Sequence, residues 1–151
     1  MNTSEDEMEI MEAVVEDLEL LVQLRIAAMK PSLIAVGRFD PERARERFAE
    51  TFTPKDTSII LVSGEVVGFY VVLENQNHLE LDHLYIHPDA QGAGVGTCVI
   101  VHIKNMAAAK AMPIKLGALK ESPANQFYID HGFVKTHEED WDNYYVWEKK
   151  N

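Results

Sequence analysis

Three glycines, at 92, 94 and 96, occupy one turn between an apolar run, Leu79 to Ile86, and a stretch that reads as a helix. That helical stretch runs from Gly94 to about Lys110, rich in alanine, with Val95, Val99, Ile103 and Ala107 at helical spacing. Lacking Cβ atoms, glycines let several successive backbone N–H groups point into one concavity. A helix N-terminus directly behind them makes such a turn an anion site, suited to a pyrophosphate. Lys104 and Lys110 are the nearby cations that would assist it.

The rest of the chain alternates strands with helices around this turn. Met8 to Val14 is a first strand candidate, after an acidic, solvated extension over residues 1–7. Leu18, Leu21, Val22, Arg25, Ile26 and Met29 recur at helical spacing behind Glu16 and Asp17, and Pro31 is expected to end that helix. Asp40 and Pro41 read as a cap and first position of a second helix, with Phe39 as a staple on Ala44. Phe48 and Phe52 continue its apolar side until Pro54. Thr57 to Val62 and Val66 to Leu73, separated by Ser63-Gly64, form a hairpin. Pro113 to Leu119 is strand-like, and Ser122 to His131 suits a short helix stopped by Gly132. Two further strands follow Phe133, with Asp142-Asn143 as their expected turn. The fold class is therefore one mixed α/β domain over residues 8–151.

A length of 151 residues, with 46% apolar and 26% charged, fits one globular domain rather than a disordered chain. Cys98 is the single cysteine, so no disulfide scaffold is expected. The apolar runs, such as Ile59 to Val62, fall far short of the roughly 18 residues of a membrane span. With an acidic, polar beginning unlike a secretory leader, the expectation is a reduced, cytoplasmic protein without a membrane partner. The formal charge of −11 argues against nucleic acid, whose phosphates need a basic surface. The six histidines show no ligand spacing with cysteines or acids, so no metal is expected.

Two familiar phosphate loops do not fit the glycine turn. A P-loop ends in Gly-Lys-Ser/Thr, whereas Gly96 is followed by Thr97-Cys98. The dinucleotide fingerprint requires a further glycine where Thr97 stands. What fits is Gln-x-x-Gly-x-Gly, read from Gln91 through Gly94 and Gly96, after a strand ending Tyr-Ile-His-Pro. With Pro-Ala-x-x-Phe-Tyr-x-x-x-Gly-Phe over Pro123 to Phe133, this resembles the Gcn5-related N-acetyltransferase (GNAT) superfamily, the users of acetyl-coenzyme A. The order of elements matches that superfamily along nearly the whole chain from Met8.

The resemblance implies a mixed, mostly antiparallel sheet flanked by helices, with a bulged, splayed central strand. It implies that the amides of Gln91, Gly92, Ala93, Gly94, Val95, Gly96 and Thr97 cradle the cofactor's pyrophosphate. The backbone of Leu84, Tyr85 and Ile86 would pair with the pantetheine arm, and Ala124 and Phe127 would line the cofactor. The residue pattern itself supports an irregular strand: Leu79, Leu81 and His83 share one face, yet Leu84 and Ile86 are the next apolar pair. A backbone N–H near Ile86, freed by that irregularity, would polarise the thioester carbonyl.

Tyr128 matches the family's general acid, and a phenol with a pKa near 10 keeps its proton at neutral pH. The bland alternative is a core tyrosine beside Phe127. A lysine-like acceptor amine is less than ~0.1% neutral at pH 7, so a proton acceptor is needed. Glu80 is the leading candidate by resemblance, with Asp82 on the same strand face and a water chain as alternatives. Glu121 stands where the family often has asparagine, so that contact with the cofactor arm is not carried over. His83 and His87 read as structural or solvated, and Cys98 as a small buried residue.

All five arginines lie between positions 25 and 47. Those from 43 to 47 alternate with Glu42, Glu46 and Glu50, a solvated charged face, or else Arg38, Arg43 or Arg47 grips a substrate carboxylate. Trp141, Tyr144, Tyr145 and Trp147 read as strand packing, a dimer surface or a wall of the acceptor cleft. The chain is thus expected to transfer acetyl from acetyl-coenzyme A to a small-molecule or peptide amine, and a homodimer is compatible with it. The rival is a non-catalytic acyl-coenzyme A sensor built on the same pocket.

Overall fold

The computed structural model describes residues 7–35 and 37–149. Residues 1–6 of the expected N-terminal extension lie outside that range. The remaining extension residue, Glu7, is tied to the hairpin turn through Ser63 N–H to its carbonyl oxygen (3.0 Å).

Among the described residues, seven strands and four α-helices make up an α/β fold. The strands are β1 (Met8–Glu12), β2 (Thr57–Val62), β3 (Glu65–Glu74), β4 (Leu79–Ile86), β5 (Ile114–Leu119), β6 (Val134–Glu138) and β7 (Asp142–Trp147). The helices are α1 (Leu18–Ala35), α2 (Pro41–Thr51), α3 (Val95–Ala109) and α4 (Ala124–Asp130). The sheet order is β1-β2-β3-β4-β5-β7-β6. β4 and β5 run parallel, as a crossover through α3 requires, while β1–β2, β2–β3, β5–β7 and β6–β7 are antiparallel.

The chain forms two compact units. The first comprises residues up to Val71 together with His83–Cys98. Its core holds Leu21, Val22 and Leu24 of α1, Phe48 of α2, Ile60 of β2 and Phe69 of β3, all buried. Phe48 meets Phe69 edge-on at 5.5 Å and stacks on Phe52 at 5.6 Å, so the apolar side read from α2 is its inner side. The turn at Ser63-Gly64 has φ of 51° and 82°, the positive pair that a two-residue hairpin uses.

The second unit comprises Val72–Asp82 and Val99 onward. Ile114, Leu116 and Ala118 are buried while Lys115 and Gly117 face outward, the period-2 pattern of a half-buried strand. Ile100, Ile103 and Ala107 of α3 are fully buried, as are Leu79 of β4 and Ile114 of β5.

Two expected boundaries are corrected. Pro31 lies inside α1, which continues to Ala35. The stop is Gly37, at φ 70°: Arg38 N–H donates to Leu33 O (2.8 Å) and Gly37 N–H to Ile34 O (3.0 Å). These two bonds cap the last carbonyls of the helix, which a proline alone cannot do. The final turn lies before Asp142-Asn143, because these residues already pair with Leu119 and Ala118 in β7. Glu139 N–H to Asp142 O (2.9 Å) closes it.

Candidate active site

The first unit carries the glycine turn. β4 ends at Ile86, and after His87 a short helical turn at Pro88–Ala90 leads into it. Gly92 and Gly94 have φ of 85° and 81°, which side-chain-bearing residues adopt only under strain. The first i→i−4 bond of α3 is Cys98 N–H to Gly94 O (3.1 Å), so the amides of Val95, Gly96 and Thr97 precede the helical ladder. No acidic residue sits in the first turn of α3, and a Cβ placed on Gly92 would meet nothing within 4 Å. Backbone donors, an open approach and no opposing carboxylate on that turn form a cradle that fits a phosphate group.

Gln91 serves the turn in a way its place in the motif did not reveal. Its backbone N–H donates to Pro88 O (3.3 Å), while its side-chain amide donates to Ile86 O (2.9 Å). The loop is thereby tied to the end of β4. His87 also belongs to this turn, its Nδ1 accepting from Asp89 N–H at 3.1 Å.

The end of β4 is shaped by a residue that the sequence reading passed over. A Cβ on the buried Gly68 of β3 would collide with the Tyr85 carbonyl oxygen and stand 3.2 Å from the Ile86 Cα. Only glycine admits this approach. His87 N–H donates to Val67 O (2.7 Å). Adjacent strand donors point to opposite sides, so the neighbouring Ile86 amide points to the other edge of β4. His83 and Tyr85 are joined by a 2.9 Å side-chain hydrogen bond, and their rings lie against Phe48 and Phe69 at 5.5 and 5.4 Å. His83 is accordingly part of an aromatic cluster.

Two of the five arginines, Arg25 and Arg45, make structural contacts. Arg45 pairs with Glu19 of α1 rather than with an acid of its own helix. Arg25 donates to Ala44 O at 3.1 Å.

The second unit carries Glu80 and Tyr128. Among the described residues the β4–β5 ladder comprises Leu79↔Ile114, Glu80↔Lys115 and Leu81↔Leu116, although β5 continues to Leu119. Pairing thus stops one residue beyond Glu80. Burial pushes the Glu80 carboxyl above its ordinary range; Asp82 adds to this, while His78 and Lys115 oppose it. His78 Nε2 lies 4.0 Å from the Glu80 carboxylate. It also lies 2.9 Å from the Asn75 side-chain amide, and His78 Nδ1 is 3.0 Å from Asn77 Oδ1. Asp82 is exposed.

Tyr128 is buried on α4, with ring neighbours Phe127 and Phe133 at 5.4 Å and Tyr145 at 6.3 Å. Ser122 Oγ accepts from Ala124 N–H (3.1 Å) where α4 begins. Asn125, unremarked in the sequence, donates its amide to Leu119 O and Ser122 O, both at 2.8 Å. Its oxygen accepts from Tyr145 Oη (2.8 Å) and Asn143 Nδ2 (3.0 Å).

Glu121 and Trp141 are exposed, Cys98 is half-buried, and Tyr144 lies across Gly117, whose added Cβ would be 2.9 Å from its ring. The two lysines expected to assist the glycine turn are otherwise engaged. Lys104 donates to His131 O, with the Trp147 and Phe133 rings 5.2 and 5.8 Å away, and Lys110 pairs with Glu74 at 2.6 Å. Among the described residues no group of three or more His, Cys, Asp and Glu is placed to hold a metal ion, and no helix is long and apolar enough to cross a membrane.

Comparisons with known proteins agree with this arrangement. The structure is similar to the PaiA N-acetyltransferase of Thermoplasma acidophilum, solved with coenzyme A, at 18% identity and a TM-score of 0.78 over 94% of this chain and 99% of that one. An acetyltransferase from Thermus thermophilus matches at 16% identity and a TM-score of 0.75, over 99% and 100% of the two chains. A GCN5-related N-acetyltransferase from Rhodopseudomonas palustris matches at 21% and 0.71, over 99% of each. At these identities the likeness establishes the fold. No curated protein sequence matches. The family model of the acetyltransferase (GNAT) domain matches residues 55–135, which hold β2 to β5, the glycine turn and the whole of α4. The chain belongs to the GNAT acetyltransferase family.

Proposed function

We propose that this chain is an acetyl-coenzyme A-dependent N-acetyltransferase acting on the primary amine of a small molecule or peptide, by direct attack in a ternary complex. The observation that carries the reading is the glycine turn: Gly92 and Gly94 at positive φ, directly before the first-turn amides of α3. Fixed backbone dipoles explain how a chain of charge −11 would hold a pyrophosphate.

In this reading the pantetheine arm pairs with the outward edge of β4 at Leu84–Ile86, and the Ile86 N–H polarises the thioester carbonyl. The ammonium first yields one proton through water to Glu80, and the neutral nitrogen then attacks the carbonyl carbon, forming C–N. As C–S breaks, the thiolate takes the Tyr128 phenolic proton, and the second proton, shed by the new amide nitrogen, restores the phenol. Burial raises the Glu80 pKa and so strengthens that carboxylate as a base, which supports its role as proton acceptor. The bulge expected in β4 belongs to the same proposal, supported by the close approach of Gly68 to Tyr85.

Thiol release from acetyl-coenzyme A, screened against polyamines, amino acids, aminoglycosides and peptides, tests the reading. Release with at least one amine is expected, together with a rise in melting temperature on adding acetyl-coenzyme A. A melting shift with no thiol release on any amine would favour the sensor instead, and neither response would end both readings.

A further inference from the structure

We propose that Asn125 is the positioning residue for Tyr128, an inference resting on the reading of Tyr128 as the proton donor. Helix α4 has only seven residues, too few for its own hydrogen bonds to fix its place. Beside the Ser122 hydroxyl that accepts from Ala124 N–H, the Asn125 side chain ties the first turn of α4 to β5 and β7. The Asn125 amide nitrogen donates to Leu119 O at the end of β5 and to Ser122 O in the connecting loop, with Lys120 O a weaker third acceptor at 3.3 Å. Its oxygen accepts from two residues of β7, Asn143 and Tyr145. Both ends of the amide are therefore used.

The chemistry demands an asparagine. Aspartate has the same shape but would aim a carboxylate oxygen at three carbonyls; leucine would tie the helix to none of them and would leave the Tyr145 hydroxyl without its acceptor. Tyr128 follows three residues later, close to the same face of α4, and its ring borders that of Tyr145 at 6.3 Å. One amide thus sets both the seat of α4 and the aromatic neighbour of Tyr128. A shift of about 1 Å in a reacting group costs on the order of 100-fold in rate, so this anchorage bears directly on proton delivery.

The test is a double-mutant cycle with acetyl-coenzyme A and the amine found in the screen, using wild type, Asn125→Ala, Tyr128→Phe and the double variant. Asn125→Ala is expected to lower kcat about ten-fold with little change in the KM for acetyl-coenzyme A, and this loss should vanish when Tyr128 is already Phe. The same ten-fold loss in both backgrounds overturns the positioning role and leaves the acid reading intact. An unchanged kcat in Tyr128→Phe alone overturns the acid reading, and this inference with it; so does a screen without turnover. Should Asn125→Ala fail to fold, Tyr145→Phe removes only one donor to the Asn125 oxygen. It is expected to give a smaller kcat loss with the same dependence on Tyr128, and a loss independent of Tyr128 overturns the proposal.

Discussion

Gly68 of β3 touches the backbone of Tyr85 in β4 so closely that no side chain fits between them: a Cβ there would collide with the Tyr85 carbonyl oxygen. The stretch proposed to receive the pantetheine arm is held from behind by a missing methyl group. Gly68→Ala must push β4 outward or distort β3, a destabilisation of about 1–3 kcal/mol. Denaturant unfolding measures that loss. Acetyl-coenzyme A affinity should fall with it, and a variant of wild-type stability and affinity would show that the approach has no consequence.

Gly92 tests the cradle without crowding it, since its surroundings are open and only its φ of 85° resists a side chain. Gly92→Ala is expected to cost about 1–2 kcal/mol through the left-handed backbone. The thermal shift produced by acetyl-coenzyme A should shrink in the variant. An undiminished shift would move the phosphate site away from this turn.

Tyr128→Phe removes one hydroxyl from a buried ring whose apolar neighbours remain in place. A general acid contributes roughly 100- to 10,000-fold, so kcat should drop at least about 100-fold while the dissociation constant for acetyl-coenzyme A changes little. Steady-state kinetics beside calorimetric binding separates the two effects. Equal kcat values would return Tyr128 to the core.

Glu80 makes a prediction about pH. Burial raises its folded-state pKa above the reference value of 4.5. Its contribution to stability is therefore fully present below the unfolded value and is lost as pH rises through the folded one. Glu80→Gln should melt with wild type in acid and above it at neutral pH, as calorimetry across that range would show. The acid limb of kcat/KM in the wild type should lie above 4.5, and the variant should lose that limb along with most activity. A variant keeping both would favour Asp82 or a water chain as the base.

Much of the fold was legible because its signals are local. β4 runs from Leu79 to Ile86 as the apolar run indicates, and Asp40 caps α2, accepting from Arg43 N–H at 3.2 Å. The failures came where two local signals competed. Pro31 and Gly37 both mark helix ends, but a proline inside a helix removes one bond, whereas Gly37 completes a cap. Asp142-Asn143 has turn composition, yet cross-strand pairing with β5 decides its conformation.

The candidate site is legible as a motif, whereas the contacts that support it are not. Gln91, Gly94 and Tyr128 announce themselves by spacing. Asn125 and Gly68 do not, because they act on Tyr145 and Tyr85, groups that adjacency in sequence cannot reveal. Lys104 shows the converse: its charge and place suggested an anion partner, but its ammonium serves the His131 carbonyl at the end of α4.

The proline inside α1 carries a last consequence. Having no N–H, Pro31 cannot bond the carbonyl of Ala27, so the rod of 18 residues contains a joint about two-thirds along. Beyond that missing bond Ser32 is buried, as Leu21, Val22 and Leu24 are before it, while Ile34 is exposed, so packing rather than the hydrogen-bond ladder carries the helix past its proline.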